Sequence, residues 1–386
     1  MINIVTAVKS AAKDVKHYEQ GYKIYRTAGI KYVESDDDNF HLFFRKTDGL
    51  TFKWGKHTED DPPYCPYGNE IADIEITKAC HGIRNSTDGK RTPCKCCYKN
   101  NLATGNHMSF ETFKKVFEVL NKPGIMTQIA FGVDAEASEE LNPDIWKIFQ
   151  YTKDNGVVPN VTVADITQET AEKIVSLCGA CAVSAYQTNK NCCYDSVKLL
   201  VDEAKKQNKQ MAVNIHLMVS QETLPFVFEV LDDYRKDPRL QGMNAIVFLS
   251  LKQKGRGVAF HKISDEDFKK IVDRCMDEEI RFGMDSCSAN KFLKAIEGRE
   301  DKDILEQYVE SCESFGLYSA YINCEGIYYP CSFMEKEGDW KDGIDLLKVE
   351  DFYKDVWMSD KVVKGRGQAL ECIKHNGCTS CPYYDV

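Results

Sequence analysis

The sequence predicts an α/β fold built on a parallel sheet, and two observations predict it. First, six apolar, strand-like runs alternate with six amphipathic segments that repeat at helical spacing over residues 71–285. Second, the strand-like runs are almost continuously apolar, which is typical of parallel strands covered by helices. Right-handed crossovers are expected between them. A doubly wound sheet and a partial or full barrel both fit this alternation.

The elements follow one another in a regular order. The predicted strands are IADIEIT (71–77), TQIAFG (127–132), VVPNVTV (157–163), CAVSAY (181–186), MAVNIHLMV (211–219) and NAIVFLSL (244–251). The predicted helices are SFETFKKVFEVL, NPDIWKIFQYTK, TQETAEKIVSL, DSVKLLVDEAKK, TLPFVFEVLDDYRK and EDFKKIVDRCMDEE. No G-x-G-x-x-G follows the first strand, so a dinucleotide-binding fold has no support. In parallel α/β folds ligands bind at the carboxyl ends of the strands, so the residues that follow each strand are the candidates.

Residues 1–70 form a separate N-terminal segment. Within it, HLFFRKTDGLTFKWG (41–55) predicts a β-hairpin that turns around Thr47, Asp48 and Gly49. The acidic stretch HTEDDPPYCPYGNE (57–70) contains prolines and predicts a linker to the core.

Charge and hydropathy exclude several classes of protein. The 386 residues carry 50 Lys and Arg against 60 Asp and Glu, a net charge of −10, which argues against nucleic-acid binding. No apolar run reaches the length of about 18 residues that a membrane span needs. The first twenty residues contain no continuous apolar stretch of the secretory kind. We therefore expect a cytoplasmic protein.

The chain has 17 cysteines, an odd number, and they are clustered. In a cytoplasmic chain long enough to build a core, reduced thiols that bind metal are favoured over disulfides. Some of these cysteines are instead predicted to be small buried hydrophobic residues. These are Cys178, Cys181, Cys192, Cys193 and Cys275.

The densest cluster comes directly after the first predicted strand. Cys80 lies at the carboxyl end of that strand, and Cys94 and Cys97 form a C-x-x-C that encloses Cys96. Basic residues surround these thiols and favour their ionised form. Four converging ligands would indicate zinc, whereas three with an open position would indicate an iron–sulfur cluster that binds a further molecule.

The strand end EIT, followed by Cys80 and CKCCY in a (βα)6 array, resembles the radical S-adenosylmethionine (radical SAM) superfamily. The usual C-x3-C-x2-C spacing is here C-x13-C-x2-C, with an expanded loop over residues 81–93. The resemblance implies a partial (βα)6 TIM-like barrel over residues 71–285 and a [4Fe–4S] cluster on Cys80, Cys94 and Cys97. Cys96 is the alternative third ligand. S-adenosylmethionine (AdoMet) would bind the open iron and be cleaved reductively to a 5′-deoxyadenosyl radical that abstracts a substrate hydrogen.

Further residues at strand ends are candidates for binding AdoMet or substrate. The resemblance places Gly132, Asp134 and Glu136 where a G-G-E-P-like turn holds the methionyl ammonium group, and Ser184 near the ribose. After the sixth strand, Lys252 and Arg256 could hold a carboxylate or a phosphate. The alternatives are an acidic solvated loop, a serine within a strand and a basic solvated loop.

A second group of cysteines lies in residues 286–386. FGLYSAYINCEGIYYPCSF (315–333) predicts a hairpin that turns at Glu325 and Gly326, and the chain ends in CIKHNGCTSCPYY. This pattern resembles the SPASM or shorter Twitch extension of radical SAM enzymes, which implies one auxiliary [4Fe–4S] cluster. The implied ligands are Cys287 or Cys312, with Cys331, Cys378 and Cys381. A zinc site is the alternative.

The resemblance implies an enzyme that modifies a peptide or protein, with the N-terminal hairpin offering an edge strand to a peptide. A radical SAM enzyme acting on a small molecule, such as a nucleotide or carbohydrate, is the second hypothesis. A non-catalytic zinc-binding interaction protein is the hypothesis from another class. The enzyme would need a reductant of the flavodoxin or ferredoxin type, and neither a membrane nor a nucleic acid is expected as a partner.

Overall fold

The N-terminal part of the chain is an antiparallel sheet with one helix. The computed structural model describes residues 2–57, 62–376, 381 and 384. The elements of this part are α1 (Ile2–Ala11), β1 (Asp14–Tyr18), β2 (Tyr22–Arg26), β3 (Ile30–Ser35), β4 (His41–Arg45) and β5 (Thr51–Trp54). The five strands pair in chain order. The predicted hairpin is confirmed as β4 and β5, but the three preceding strands were not predicted.

This sheet packs on the rest of the protein through one face. Tyr22, Ile24 and Leu42 belong to the main hydrophobic core, whereas α1 covers a small separate cluster on the opposite face. Polar contacts fix the same interface: the Tyr22 hydroxyl donates to the carbonyl of Pro123 over 2.7 Å. The N-terminal sheet is therefore packed against the core.

The core alternates strands and helices as the sequence predicts. Its elements are β6 (Ile71–Glu75), β7 (Ile83–Arg84), β8 (Arg91–Thr92), α2 (Phe110–Leu120), β9 (Gln128–Gly132), α3 (Ile145–Asp154), β10 (Val158–Val163), α4 (Gln168–Leu177), β11 (Ala180–Ala185), α5 (Lys190–Lys206), β12 (Ala212–Val219), α6 (Leu224–Asp233), β13 (Ala245–Ser250), α7 (Asp265–Asp277) and β14 (Phe282–Met284). All six predicted strands are present and parallel, and β14 is an additional one. Neighbouring strands of the six are consecutive along the core, which is the order of a singly wound, barrel-like sheet.

The C-terminal part continues the same sheet. Its elements are α8 (Ala289–Ala295), α9 (Lys302–Leu305), β15 (Ser319–Ile322), β16 (Ile327–Tyr329), β17 (Ile344–Asp345) and α10 (Asp360–Asn376). The predicted hairpin at Glu325 and Gly326 is confirmed as β15 and β16. Its first strand pairs in parallel with β6, and its second pairs with β17, so the hairpin and β17 extend the core sheet to ten strands. Among the described residues β14 and β17 are the edges, and the barrel is not closed.

Side-chain alternation separates the two faces of the parallel sheet. On β12, Val213, Ile215, Leu217 and Val219 are buried, whereas the residues between them are only half-buried. The helices cover the buried face; α2, for example, buries Phe113, Val116, Phe117 and Leu120 at helical spacing. The other face of this barrel-like sheet, called the concave face below, is not covered by the helices and carries half-buried polar side chains such as Asn160, Asn214 and His216.

The cysteines predicted to be hydrophobic are mostly confirmed as core residues. Cys178, Cys181, Cys193 and Cys275 are fully buried, whereas Cys192 is half-buried beside Ser86. In the described part of the chain, no helix combines the length and the apolar content that a membrane span requires.

A buried ionic group joins the N-terminal sheet to the core. Lys53 Nζ on β5 lies 3.4 Å from an oxygen of Glu70 and 3.7 Å from one of Glu313. Burial raises the pKa of both carboxyl groups to about 7, even though Lys53 acts in the opposite direction. Because the folded state therefore binds protons more tightly than the unfolded chain, these groups make the fold less stable as the pH rises from about 4.5 to 7.

We expect the variant Lys53→Met to lose stability mainly at high pH. Without the lysine the pKa of both glutamates rises further, because no cation then offsets their burial. Below pH 5 both are protonated and little changes, whereas at pH 8 the loss is about 2–3 kcal/mol. Urea unfolding at the two pH values measures it, with Lys23→Met at an exposed ion pair as the control. An equal loss at both pH values would contradict this account.

Candidate functional site

Cys80 lies between the ends of β6 and β9. Its backbone N–H donates to the carbonyl of Leu102 over 2.7 Å, which fixes the chain after the strand. Its Sγ accepts the N–H of Gly82 over 3.3 Å and a further backbone N–H from Ala135, in the loop after β9. The first predicted ligand is therefore at the carboxyl edge of the sheet, as expected.

The expanded loop after Cys80 is held against the neighbouring strand ends by arginines. Arg91 Nη2 and Nη1 lie 2.6 Å and 3.2 Å from the two carboxylate oxygens of Asp165, which follows β10. Arg91 also pairs with Glu136 in the loop after β9, and Arg84 Nε lies 3.4 Å from Asp165. Arg91 is one of the basic residues that the sequence places near the thiols, but its contact with Asp165 was not predicted; the position of Asp165 two residues after a strand was the available signal.

The remaining thiols of the loop gather near Cys80. Burial, together with the neighbouring thiols, raises the pKa of Cys94 to about 12. Burial is also the main cause that raises the pKa of Cys96 to about 11. The Tyr186 hydroxyl, at the end of β11, donates to Cys94. Four thiols therefore lie close enough to interact electrostatically at the carboxyl edge of the sheet: those of Cys80, Cys94, Cys96 and Cys97.

The chemistry of these donors fits an iron–sulfur cluster. Thiols with raised pKa values keep their protons until a metal replaces them, so metal binding and deprotonation are coupled here. Among the described residues, no group of three or more His, Cys, Asp or Glu side chains is arranged to hold a metal ion.

The loop after β13 packs directly on the cysteine loop. Arg256 Nε donates to the carbonyl of Cys94 over 2.7 Å, and both terminal nitrogens donate to the carbonyl of Asn101 over 3.2–3.3 Å. Lys252 pairs with Asp285 and donates to Cys287. Both cations are thus engaged within the protein. That they hold a carboxylate or phosphate stays a prediction.

Gly255 brings the two loops into contact. It has a φ of +56°, and a Cβ there would lie 2.5 Å from the carbonyl oxygen of Tyr98 and 2.7 Å from that of Cys97. Both the backbone conformation and the space require glycine.

We expect Gly255→Ala to destabilise the fold by about 2 kcal/mol or more, because it adds strain at positive φ and pushes the cysteine loop away. Urea unfolding measures this. The matched control is Gly367→Ala on exposed α10, where a Cβ meets open space and stability should rise by about 0.5–1 kcal/mol. Equal effects of the two variants would contradict the close contact.

The other predicted AdoMet-binding residues lie at the same edge of the sheet. A Cβ at Gly132 would lie 3.2 Å from Cα of Glu75, so this glycine permits close strand packing. Asp134 is buried and accepts the N–H groups of Ser138 and Glu136 over 2.8 and 3.2 Å. Ser184 lies on the concave face beside His216. Their contact with AdoMet stays a prediction.

The C-terminal thiols form a second group. Cys312 and Cys331 lie close enough to Cys287 to act on it electrostatically, and Cys381 acts on Cys331 in the same way. Burial raises the pKa of Cys287, Cys312 and Cys331, that of Cys312 to about 12. The structure therefore gathers both Cys287 and Cys312, between which the sequence did not decide. Cys378 lies outside the described residues.

A pair of aromatic rings lies between the two thiol groups. Tyr98 follows Cys97 directly, Phe333 lies two residues beyond Cys331, and their ring centroids are 4.4 Å apart. The sequence did not indicate this contact, since 234 positions separate the two residues along the chain.

No family model and no curated protein sequence matches the chain. Among solved structures, BtrN in complex with AdoMet and 2-DOIA aligns with a TM-score of 0.40 and 13% identity, over 81% of this chain and 93% of BtrN. Methylornithine synthase (PylB) aligns with a TM-score of 0.42 and 12% identity, over 81% and 84%. The HpcH/HpaI aldolase from Desulfitobacterium hafniense DCB-2 aligns with 0.32 and 7%, over 56% and 77%. The assignment of site residues therefore rests on the geometry of this chain.

Proposed function

We propose that the protein is a radical SAM enzyme that uses the carboxyl edge of its parallel sheet as the active site. One observation carries the proposal: Cys80, Cys94 and Cys97 gather after the first strand of a singly wound sheet, in contact with the loops after β9, β11 and β13. When bound, a reduced [4Fe–4S] cluster supplies the electron that cleaves AdoMet to a 5′-deoxyadenosyl radical, which abstracts a substrate hydrogen.

The residues of the chain have distinct tasks in this proposal. Cys80, Cys94 and Cys97 would hold a [4Fe–4S] cluster and leave it one free coordination position for AdoMet. Arg91 and Arg256 are positioning residues, because they fix the loop that carries the ligands. The concave face orients the substrate and keeps water from the radical.

The second thiol group is proposed to hold one auxiliary [4Fe–4S] cluster. Its proposed ligands are drawn from Cys287, Cys312, Cys331, Cys378 and Cys381. The first three are half-buried and lie close enough to act electrostatically on one another, which supports it. An electron would reach the protein from a reductant of the flavodoxin or ferredoxin type.

A peptide or protein is the proposed substrate. The exposed edge strand β1 supports it, because among the described residues β1 pairs with β2 alone, and its other edge is open to an added strand. A small molecule is the second candidate. The observation that favours it is the polar concave face, which includes Asn160, Asn214 and His216.

Metal analysis and AdoMet cleavage test the proposal. Anaerobically purified full-length protein should be brown and contain iron and sulfide. Reduction with dithionite in the presence of AdoMet should yield 5′-deoxyadenosine, and omitting dithionite is the control. Zinc without iron would instead support an interaction protein. Persistent absence of 5′-deoxyadenosine with a reconstituted cluster would refute the proposal.

A further inference from the structure

Two carboxylates of β6 face the concave side of the sheet. Ala72 and Ile74 are fully buried on the helix-covered face, so the alternating residues Asp73 and Glu75 point the other way. Asp73 is in register with Ala130 of β9 and Tyr321 of β15. The small Ala130 side chain leaves space beside the Asp73 carboxylate.

Within the described part of the chain, neither carboxylate has a hydrogen-bond or ion-pair partner for both of its oxygens. Asp73 has no hydrogen bond or ion pair there, and its side chain is exposed to solvent. The protein around it nevertheless raises the pKa of its carboxyl group to about 6. Glu75 is 4% exposed, with Oε1 3.3 Å from Lys99 Nζ and no hydrogen-bond partner for Oε2. Asp73 is therefore accessible to a cation from outside, and the charge of Glu75, which Lys99 contacts through one oxygen only, adds to the attraction.

The lysines near the site are already paired with carboxylates, whereas Asp73 has no cation among the described residues. Lys99 pairs with Glu335 as well as Glu75, and Lys252 with Asp285. Arg256 donates to backbone carbonyls. Burial lowers the pKa of His216 to about 4, so this histidine is neutral at pH 7.

We propose that Asp73 binds a cationic amine of the substrate, and that the buried Glu75 carboxylate beside it strengthens this binding through its charge. The inference rests on the proposed function and names its substrate class: a primary ammonium or guanidinium group, carried by a lysine or arginine side chain of a peptide or by a small-molecule amine. A phosphorylated or carboxylate substrate lacks a free cation to bind on this face and would be repelled by the two carboxylates.

Binding to the full-length protein under anaerobic conditions tests the inference. The probes are a short lysine-containing peptide and the diamine cadaverine, each against its N-acetylated counterpart, with the dianion glutarate as a probe of opposite charge. We expect at least one amine to bind and to lose its affinity on acetylation. Comparing the peptide with cadaverine distinguishes the two sources of the amine. If neither amine binds better than its acetylated form, or glutarate binds as well, the inference is wrong.

Single substitutions test whether Asp73 binds the amine and whether Glu75 strengthens this binding. Asp73→Asn should lower the affinity for the amine by about tenfold or more, and Glu75→Gln should lower it less, because one of its oxygens already contacts Lys99. Asp202→Asn, at an exposed ion pair on α5, is the matched control. Unchanged amine affinity in Asp73→Asn would overturn the inference.

AdoMet binding and cleavage, measured separately from amine binding, distinguish a failure of this inference from a failure of the proposed function. Asp73→Asn should still bind AdoMet and cleave it in the absence of substrate. Weaker AdoMet binding in the variant would assign Asp73 to the cofactor and overturn the inference. If the wild-type protein binds amines but never cleaves AdoMet, the proposed function fails while the amine site stands.

Discussion

Replacing Cys80 with alanine is expected to remove the catalytic cluster and with it all formation of 5′-deoxyadenosine. A [4Fe–4S] cluster with an open iron has three protein ligands, and the loss of one leaves a second iron without protein ligation. The variant should lose the iron and sulfide of one cluster, keep those of the auxiliary cluster, and form 5′-deoxyadenosine only at the level of a reaction without protein. Iron and sulfide analysis and chromatography of the products measure both effects.

Parallel variants identify the third ligand and serve as controls. Cys97→Ala should match Cys80→Ala, whereas Cys96→Ala should keep the cluster; the reverse result would exchange the roles of the two residues. Cys192→Ala removes a half-buried thiol beside Ser86 and should change neither iron content nor cleavage. Normal product yield from Cys80→Ala would refute the ligand assignment.

The second large effect is expected from Arg91→Met. Asp165 is 4% exposed and would lose the guanidinium that holds both of its oxygens, while Arg84, at 3.4 Å, replaces only part of that contact. Breaking a buried pair in this way leaves an uncompensated charge and costs about 2–4 kcal/mol. Because the same arginine holds the loop between Cys80 and Cys94, iron should also be released faster to a chelator.

Urea unfolding and the rate of iron release measure the two consequences. The control is Lys90→Met, which changes an exposed residue of the same loop. If Arg91→Met were as stable as this control and released iron at the same rate, the arginine would not position the loop.

The parallel core could be predicted from the sequence, because each strand is a local apolar run and each helix shows a 3.6-residue repeat of apolar residues. The first three strands of the N-terminal sheet could not. Their sequences, DVKHY, YKIYR and IKYVES, mix aromatic and charged residues. Because β1 is largely exposed, its sequence lacks the apolar alternation that indicates a strand.

The candidate site was predicted in part. The cysteines could be identified because their spacing and their place after a strand are local features. The contacts that position them could not, since Arg256 acts through backbone carbonyls of residues more than 150 positions earlier in the chain. Asp73 was hidden within a predicted strand, where only the pairing with Ala130 and Tyr321 gives it a direction.

The pairing of β15 with β6 also constrains how the protein is made. During synthesis β6 emerges early and finds β9 soon afterwards, but its other edge is covered only when residues 319–322 have left the ribosome. Until then the nascent sheet presents an unpaired strand edge of the kind that promotes aggregation. A chain that stops at the end of the predicted core, near residue 285, would keep that edge exposed. Translation has to pass residue 322 before the first core strand is paired on both sides.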